Sequence, residues 1–178
     1  MVPRRETDFL APESGGSYAF SKYVGELIIS DYLSKRGILY ANVRIGDIYG
    51  PNQKHGNLLK VIVKNAIQRS EICLYGKGRR TRDYIYVKDV VRGLEYISSK
   101  QLTGNINLAT GVGTSVEELI DVVNELCGGS LNIKHVMVEK EDDSKIVLDV
   151  SKLRESGFNI EYSVRNGLYE ILYKEIKE

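Results

Sequence analysis

Apolar residues recur at helical spacing from Ser17 onward: Phe20, Val24, Leu27 and Ile28 mark one face, and Ala19, Tyr23 and Ile29 widen it. The pattern predicts a helix that ends near Arg36, with Gly37 as its C-terminal glycine. ILYANVRI (38–45) follows between Gly37 and Gly46, and reads as a strand buried on both faces of a parallel sheet. Its carboxyl end runs into DIYGPNQKHGN, a turn-rich loop by composition, and open α/β sheets bind ligands beyond the carboxyl ends of their strands. NLLKVIVKNAIQRS (57–70) carries two helical rows, Leu58, Ile62, Ala66 and Leu59, Val63, Ile67.

EICLYGKGRRTRDYIYV (71–87) predicts two short strands joined through a turn-prone stretch with Gly76, Lys77 and Gly78. VKDVVRGLEYISSK is a third helix and GNINLAT (104–110) a further strand. TSVEELIDVVNELCGG opens with Ser115 three residues before Glu118, a capping-box spacing, and closes on Gly128 and Gly129. LNIKHVMV (131–138) alternates as a half-exposed strand should, and EKEDDSK is a charged loop in which Asp142 and Asp143 read as solvated. A short helix after Ser151 and a longer one after Ser163 end the chain. The opening MVPRRETDFLAPESGG holds two of the three prolines and no sustained period, so it reads as an irregular surface segment. Helix, glycine, buried strand is an α/β unit, and 178 residues suffice for one core with a small appended lobe.

Charge narrows the partners. Lys and Arg total 25 against 24 Asp and Glu, so no global field draws the protein to nucleic acid or a membrane surface. An anionic ligand must therefore be held by a local cluster. KGRRTR is the one basic run, and it lacks interleaved stacking aromatics. Cys73 and Cys127 lie far apart and are read as reduced core thiols of a cytoplasmic protein. His55 and His135 have no metal-ligand spacing, and no apolar run approaches the roughly 20 residues of a membrane span.

Tyr18 and Lys22, four positions apart, share a helix face. An ammonium beside a phenol oxygen favours the phenolate and suits it to proton transfer. The pair stands in SYAFSKYVGE, followed in order by VRIGDIYGPNQ, GKGRRTRDYIYVKDVVRGLEYI, GNINLATGVGTSVEELIDVV and LDVSKLRESGFNIEYSVRNGL. Together these segments resemble the NAD-dependent epimerase/dehydratase family, the extended short-chain dehydrogenases that act on nucleotide sugars, and most of all its UDP-glucose 4-epimerase branch. The resemblance covers essentially the whole chain.

What it implies is specific. The fold would be the C-terminal part of a Rossmann-type doubly wound parallel sheet with a small α/β substrate-binding lobe. Tyr18 would exchange a proton with a sugar hydroxyl, and Lys22 would hold the nicotinamide ribose of NAD and tune the tyrosine. Arg82, in TRDYIYV, matches the family arginine on the nucleotide diphosphate, and its planar fork suits that contact. Asn57 and Leu58 match an Asn-Leu pair near the substrate, and Tyr75 falls in the segment lining the base pocket. The expected partners are a nucleotide-sugar substrate and a second copy in a homodimer.

The chain also departs from the family pattern. Nothing like GxxGxxG precedes Tyr18, so residues 1–178 are expected to be a partial domain that by itself holds NAD weakly or not at all. Asp47 stands in VRIGDIYGP where the family usually carries an asparagine near the sugar diphosphate, and a carboxylate there repels phosphate. The arginine many epimerases place upstream of DxSK has no counterpart shortly before Asp149, although Lys140 and Lys145 lie nearby. The alternatives are a noncatalytic substrate-lobe or dimerisation fragment, and a dTDP-glucose 4,6-dehydratase-like enzyme.

Overall fold

The computed structural model describes residues 3–8, 16–53 and 58–177. Helix α1 (Gly16–Ser34) leads through Gly37, whose φ of 66° favours glycine, into strand β1 (Ala41–Ile45). β1 starts three residues later than the apolar run suggests, because the Ile38 amide donates to the Leu33 carbonyl at 3.1 Å and closes the helix end instead. Nor is β1 buried on both faces: Asn42 alone is buried, and its amide donates to Ser30 Oγ and Asn105 Oδ1 at 3.0 Å each.

The next segment corrects the sequence reading. Asp47–Tyr49, expected in a loop, is strand β2. Three residues are too few to show a period, and the strand forms because Tyr84–Tyr86, far along the chain, offers it a parallel ladder. Gly46 permits the close passage, since a Cβ there would lie 2.6 Å from the Asp83 carbonyl oxygen.

Helix α2 (Leu58–Ile67) buries Leu59, Ile62, Val63 and Ala66, combining its two apolar rows. Beyond it the 71–87 stretch forms three strands, not two: β3 (Ile72–Tyr75), β4 (Thr81–Arg82) and β5 (Tyr84–Tyr86). Helix α3 (Val87–Ser99), strand β6 (Gly104–Leu108), strand β7 (Thr114–Ser115) and helix α4 (Val116–Leu126) follow. The α4 capping box is present, with Ser115 Oγ accepting from the Glu118 amide and Glu118 Oε2 accepting from the Ser115 amide. Strands β8 (Ile133–Val136) and β9 (Lys145–Ile146) and helices α5 (Ser151–Glu155) and α6 (Val164–Lys177) complete the order.

The pairing is mostly parallel. β1 runs with β6 in register from Ala41–Gly104 to Ile45–Leu108, β2 with β5, and β3 with β8, while β4 is flanked by antiparallel β7 and parallel β9. Two apolar cores result. One gathers α2, α4 and α6 around Tyr49, Tyr86, Leu119 and Leu168; the other packs α3 and α5 on β5 and β6 through Ile85, Ile97, Ile106 and Leu153.

The cysteine reading needs correcting. Alternation along β3 turns Cys73 outward, so it is exposed, and Cys127 at the end of α4 is half-buried, where burial pushes its thiol up. Residues 3–8 are better tethered than an irregular surface segment suggests: Arg4 bridges Leu148, and the Asn107 side chain donates to the Arg4 carbonyl at 2.9 Å. No helix among the described residues is long and apolar enough to cross a membrane.

Candidate active site

α1 positions the tyrosine and lysine. None of its residues is buried, and its predicted apolar face, with Phe20, Leu27 and Ile28, is exposed. Polar contacts hold the helix on β1 instead: Ser30 receives the Asn42 amide, and Glu26 pairs with Arg44. Between helix and strand lies an open trough of about 1080 Å³ lined by Tyr18, Lys22 and Glu26 on one side and by β1 and the start of β2 on the other.

Tyr18 stands 74% exposed at the mouth, and Lys22 Nζ lies 5.5 Å from the centre of its ring. Helical spacing alone brings the two together. No other ion pair or hydrogen bond engages the Lys22 ammonium among the described residues. The ammonium and phenol are therefore available to hydroxyl-bearing ligands.

Asp47, at the start of β2, also lines the trough. Loss of hydration raises its carboxyl above the ordinary aspartate value, while the Arg82 and Arg80 guanidinium groups pull it down. Arg82 is tied to its own strand and to the loop before β9: Nη1 donates to the carbonyls of Thr81 (2.8 Å) and Ser144 (3.0 Å), and Nη2 to Ser144 Oγ (3.0 Å). Desolvation lowers the arginine, with Arg80 acting in the same direction and Asp47 opposing both.

The basic run is met by the acidic loop. Arg79 lies 4.0 Å from Asp143 and Arg80 3.8 Å from Asp142, so these carboxylates are ion-paired as well as solvated. Hydrogen bonds from Ser144, with lesser help from the arginines, hold the Asp142 carboxyl below its usual range.

Of the seven residues singled out from sequence, Tyr18, Lys22 and Asp47 share the trough and Arg82 adjoins it through Asp47. Leu58, the first residue of α2, packs partly buried against the core, and Tyr75 is exposed on β3; neither lines the trough. Asn57 lies outside the described residues.

Other polar residues went unmarked. Asp83 is buried and accepts from Thr110 N (2.9 Å), Thr110 Oγ1 (2.6 Å), Gly111 N (3.0 Å) and Leu148 N (3.3 Å), fixing the turn after β6 beside the segment that leaves β9. Asp89, fully buried, likewise accepts from the amides of Glu161 and Tyr162 and pairs with Arg92. Their partners are distant in sequence, so no local spacing could reveal them. Arg44 had a weak signal as a charge inside an apolar strand.

A family model for GDP-mannose 4,6 dehydratase matches residues 1–165. The chain belongs to the NAD-dependent epimerase/dehydratase family. A relative from Arabidopsis thaliana, UDP-glucuronic acid decarboxylase 3, is 30% identical over 154 residues, 85% of this chain and 45% of the relative. Among solved structures, a Thermus thermophilus UDP-glucose 4-epimerase in complex with NAD is 26% identical at a TM-score of 0.76, over 88% of this chain and 52% of its own. A Thermotoga maritima UDP-glucose 4-epimerase with UDP-glucose is also 26% identical, at a TM-score of 0.82, over 100% of this chain and 59% of its own. The chain thus spans about half the length of the epimerase/dehydratase relatives it matches. Its mixed α/β architecture with parallel pairing is the Rossmann-type fold of that family.

Proposed function

We propose that these residues serve a nucleotide-sugar epimerase, UDP-glucose 4-epimerase-like, with Tyr18 as acid/base and Lys22 as the cation that orients it and holds the nicotinamide ribose. The observation that carries the reading is the Tyr18–Lys22 pair at the mouth of a trough whose far wall is formed by β1 and β2. Bound NAD would supply the acceptor and donor of the sugar carbon's hydride; Tyr18 takes the hydroxyl proton as that hydride leaves and returns a proton to the carbonyl oxygen as the hydride comes back on the other face. Arg82 holds the diphosphate, and Asn57, Leu58 and Tyr75 contribute to the remainder of the substrate site. In this reading residues 1–178 are a partial domain, completed by a glycine-rich segment that binds the dinucleotide pyrophosphate.

The protein is proposed to be a cytoplasmic homodimer. The exposed apolar face of α1 supports self-association, because uncovered Phe20, Leu27 and Ile28 cost free energy in water.

The second reading is a nucleotide-sugar 4,6-dehydratase, favoured by the description of the family model. Product analysis separates the two: an epimerase interconverts UDP-glucose and UDP-galactose, whereas a dehydratase releases a 4-keto-6-deoxy sugar. In the chain joined to a pyrophosphate-binding segment, Tyr18→Phe is expected to lower turnover about 10²- to 10⁴-fold, the usual contribution of general acid/base catalysis. Undiminished turnover removes Tyr18 from the chemistry.

A further inference from the structure

Glu26 stands one turn beyond Lys22 on α1 and lines the same trough. At that spacing a carboxylate and an ammonium can meet. Instead the Glu26 carboxylate is turned onto β1, where Arg44 Nε lies 3.0 and 3.2 Å from its two oxygens and Arg44 Nη2 lies 2.7 Å from Oε2. The pair is well shielded, with side chains 16% and 20% exposed. The remaining nitrogen, Arg44 Nη1, donates to the Glu6 carbonyl at 3.2 Å, so the guanidinium is fixed from two sides. Tyr18, Lys22 and Glu26 thus form one ladder along the helix face, with Arg44 gripping its lowest rung. The charged groups facing Lys22 from the trough wall are Glu26 on α1, Arg44 on β1 and Asp47 on β2.

We infer that Arg44 is a positioning residue: it holds Glu26 away from Lys22 and so leaves the ammonium to Tyr18. This rests on the Tyr18–Lys22 reading above. A bidentate guanidinium-carboxylate contact is stronger and more directional than the single-point contact an ammonium makes, so Arg44 wins the competition for Glu26. Without Arg44, a partly buried carboxylate is left uncompensated one turn from a free ammonium, and the two pair. Lys22 is then drawn down the helix, away from the phenol.

The direct test reads Lys22 itself. In the 178-residue chain, acylation of Lys22 by an amine-reactive ester is followed by peptide mass spectrometry, with Lys35, already ion-paired to Asp31, as the internal reference. Arg44→Met is expected to slow Lys22 labelling about twofold, because an ion-paired ammonium gives up its proton less readily. Arg44→Met combined with Glu26→Gln is expected to restore the wild-type rate, since it removes both charges together. A role confined to anchoring the helix predicts the opposite, with the double variant as perturbed as the single. If Arg44→Met fails to fold, Arg44→Gln removes the charge while keeping a donor to Glu26, and the same comparison is made with it.

Turnover gives an independent arm. In the active enzyme Arg44→Met should lower kcat while leaving KM for the nucleotide sugar within about twofold, and the double variant should recover kcat. Unchanged Lys22 labelling in Arg44→Met, or no recovery in the double variant, overturns the inference. Labelling that behaves as expected while Tyr18→Phe keeps full turnover would leave the sequestering of Glu26 standing and sink the catalytic reading alone.

Discussion

Arg82 and Ser144 are joined twice, the guanidinium donating from Nη1 to the Ser144 carbonyl and from Nη2 to its hydroxyl, each at 3.0 Å. The contact presses the acidic loop onto the basic run, where Asp142 and Asp143 stand beside Arg80 and Arg79. An anionic ligand arriving at Arg82 therefore meets a guanidinium of fixed plane. It also competes with carboxylates already present.

That fixed plane is what Arg82→Lys removes. A lysine keeps the charge but reproduces neither the two parallel donors nor the double grip on Ser144. Losing one hydrogen bond to a charged group costs about 1.5–3 kcal/mol, or roughly tenfold to a hundredfold in affinity. Titration of the active enzyme with UDP and with UDP-glucose, wild type against Arg82→Lys, should show that loss for both ligands. Equal affinities would return Arg82 to a structural tie between β4 and the 142–144 loop.

Asp47 predicts a pH effect of definite sign. Its carboxyl is raised in the folded chain, so between the ordinary aspartate value of 3.8 and the raised value the folded state binds more protons than the unfolded one. Stability therefore falls as pH rises through that window, and at neutral pH Asp47 is a net cost to folding. Asp47→Asn should raise the melting temperature at pH 7 and give no gain below about pH 3.8. The same substitution removes a negative charge beside Arg80 and Arg82, so UDP should bind the variant more tightly. A lower melting temperature at neutral pH would mean that attraction to the arginines outweighs desolvation.

Periodicity made α1, α2, α3 and α4 legible, because each has an apolar row or a cap written within a single turn or two. β2, β7 and β9 were not legible. Each has two or three residues, and each exists only because a partner strand from elsewhere in the chain completes its ladder. The candidate site divides in the same way. Tyr18 and Lys22 could be paired from sequence since four residues on a helix fix their proximity, whereas Glu26 and Arg44 meet across 18 positions and through tertiary packing alone. The exposure of α1 was equally hidden, for an apolar stripe records that a face is to be covered without saying by what.

The 178 residues by themselves should bind NAD poorly. On the proposed reading the contacts they offer are Lys22, Tyr18 and the trough, and a single hydrogen bond to a charged group contributes about 1.5–3 kcal/mol. Micromolar affinity requires about 8 kcal/mol, most of which such enzymes draw from a glycine-rich loop and helix N-terminus around the pyrophosphate. Calorimetric titration of this polypeptide should show no saturable micromolar binding. Saturation in that range would place the principal cofactor contacts within these residues.

Gly46 and Asp83 make the last test, because the site depends on how β1 hands over to β2. The Asp83 carbonyl accepts from the Asp47 amide at 2.7 Å, and its carboxylate accepts from Thr110, Gly111 and Leu148. A methyl group at position 46 would fall 2.6 Å from that carbonyl and 3.2 Å from Ala109 Cβ, so the β1–β2 passage would have to move off Asp83. Overpacking of this kind costs about 1–3 kcal/mol. Asp83→Ala removes the acceptor of the part-buried donors of Thr110, Gly111 and Leu148, at up to about 1–3 kcal/mol for a group left unsatisfied. Gly46→Ala and Asp83→Ala should therefore each melt below wild type, and the double variant should lose less than the sum, since the two act on one junction. Additive losses would show that the carboxylate clamp and the glycine passage are independent, and would detach Asp83 from the placement of Asp47.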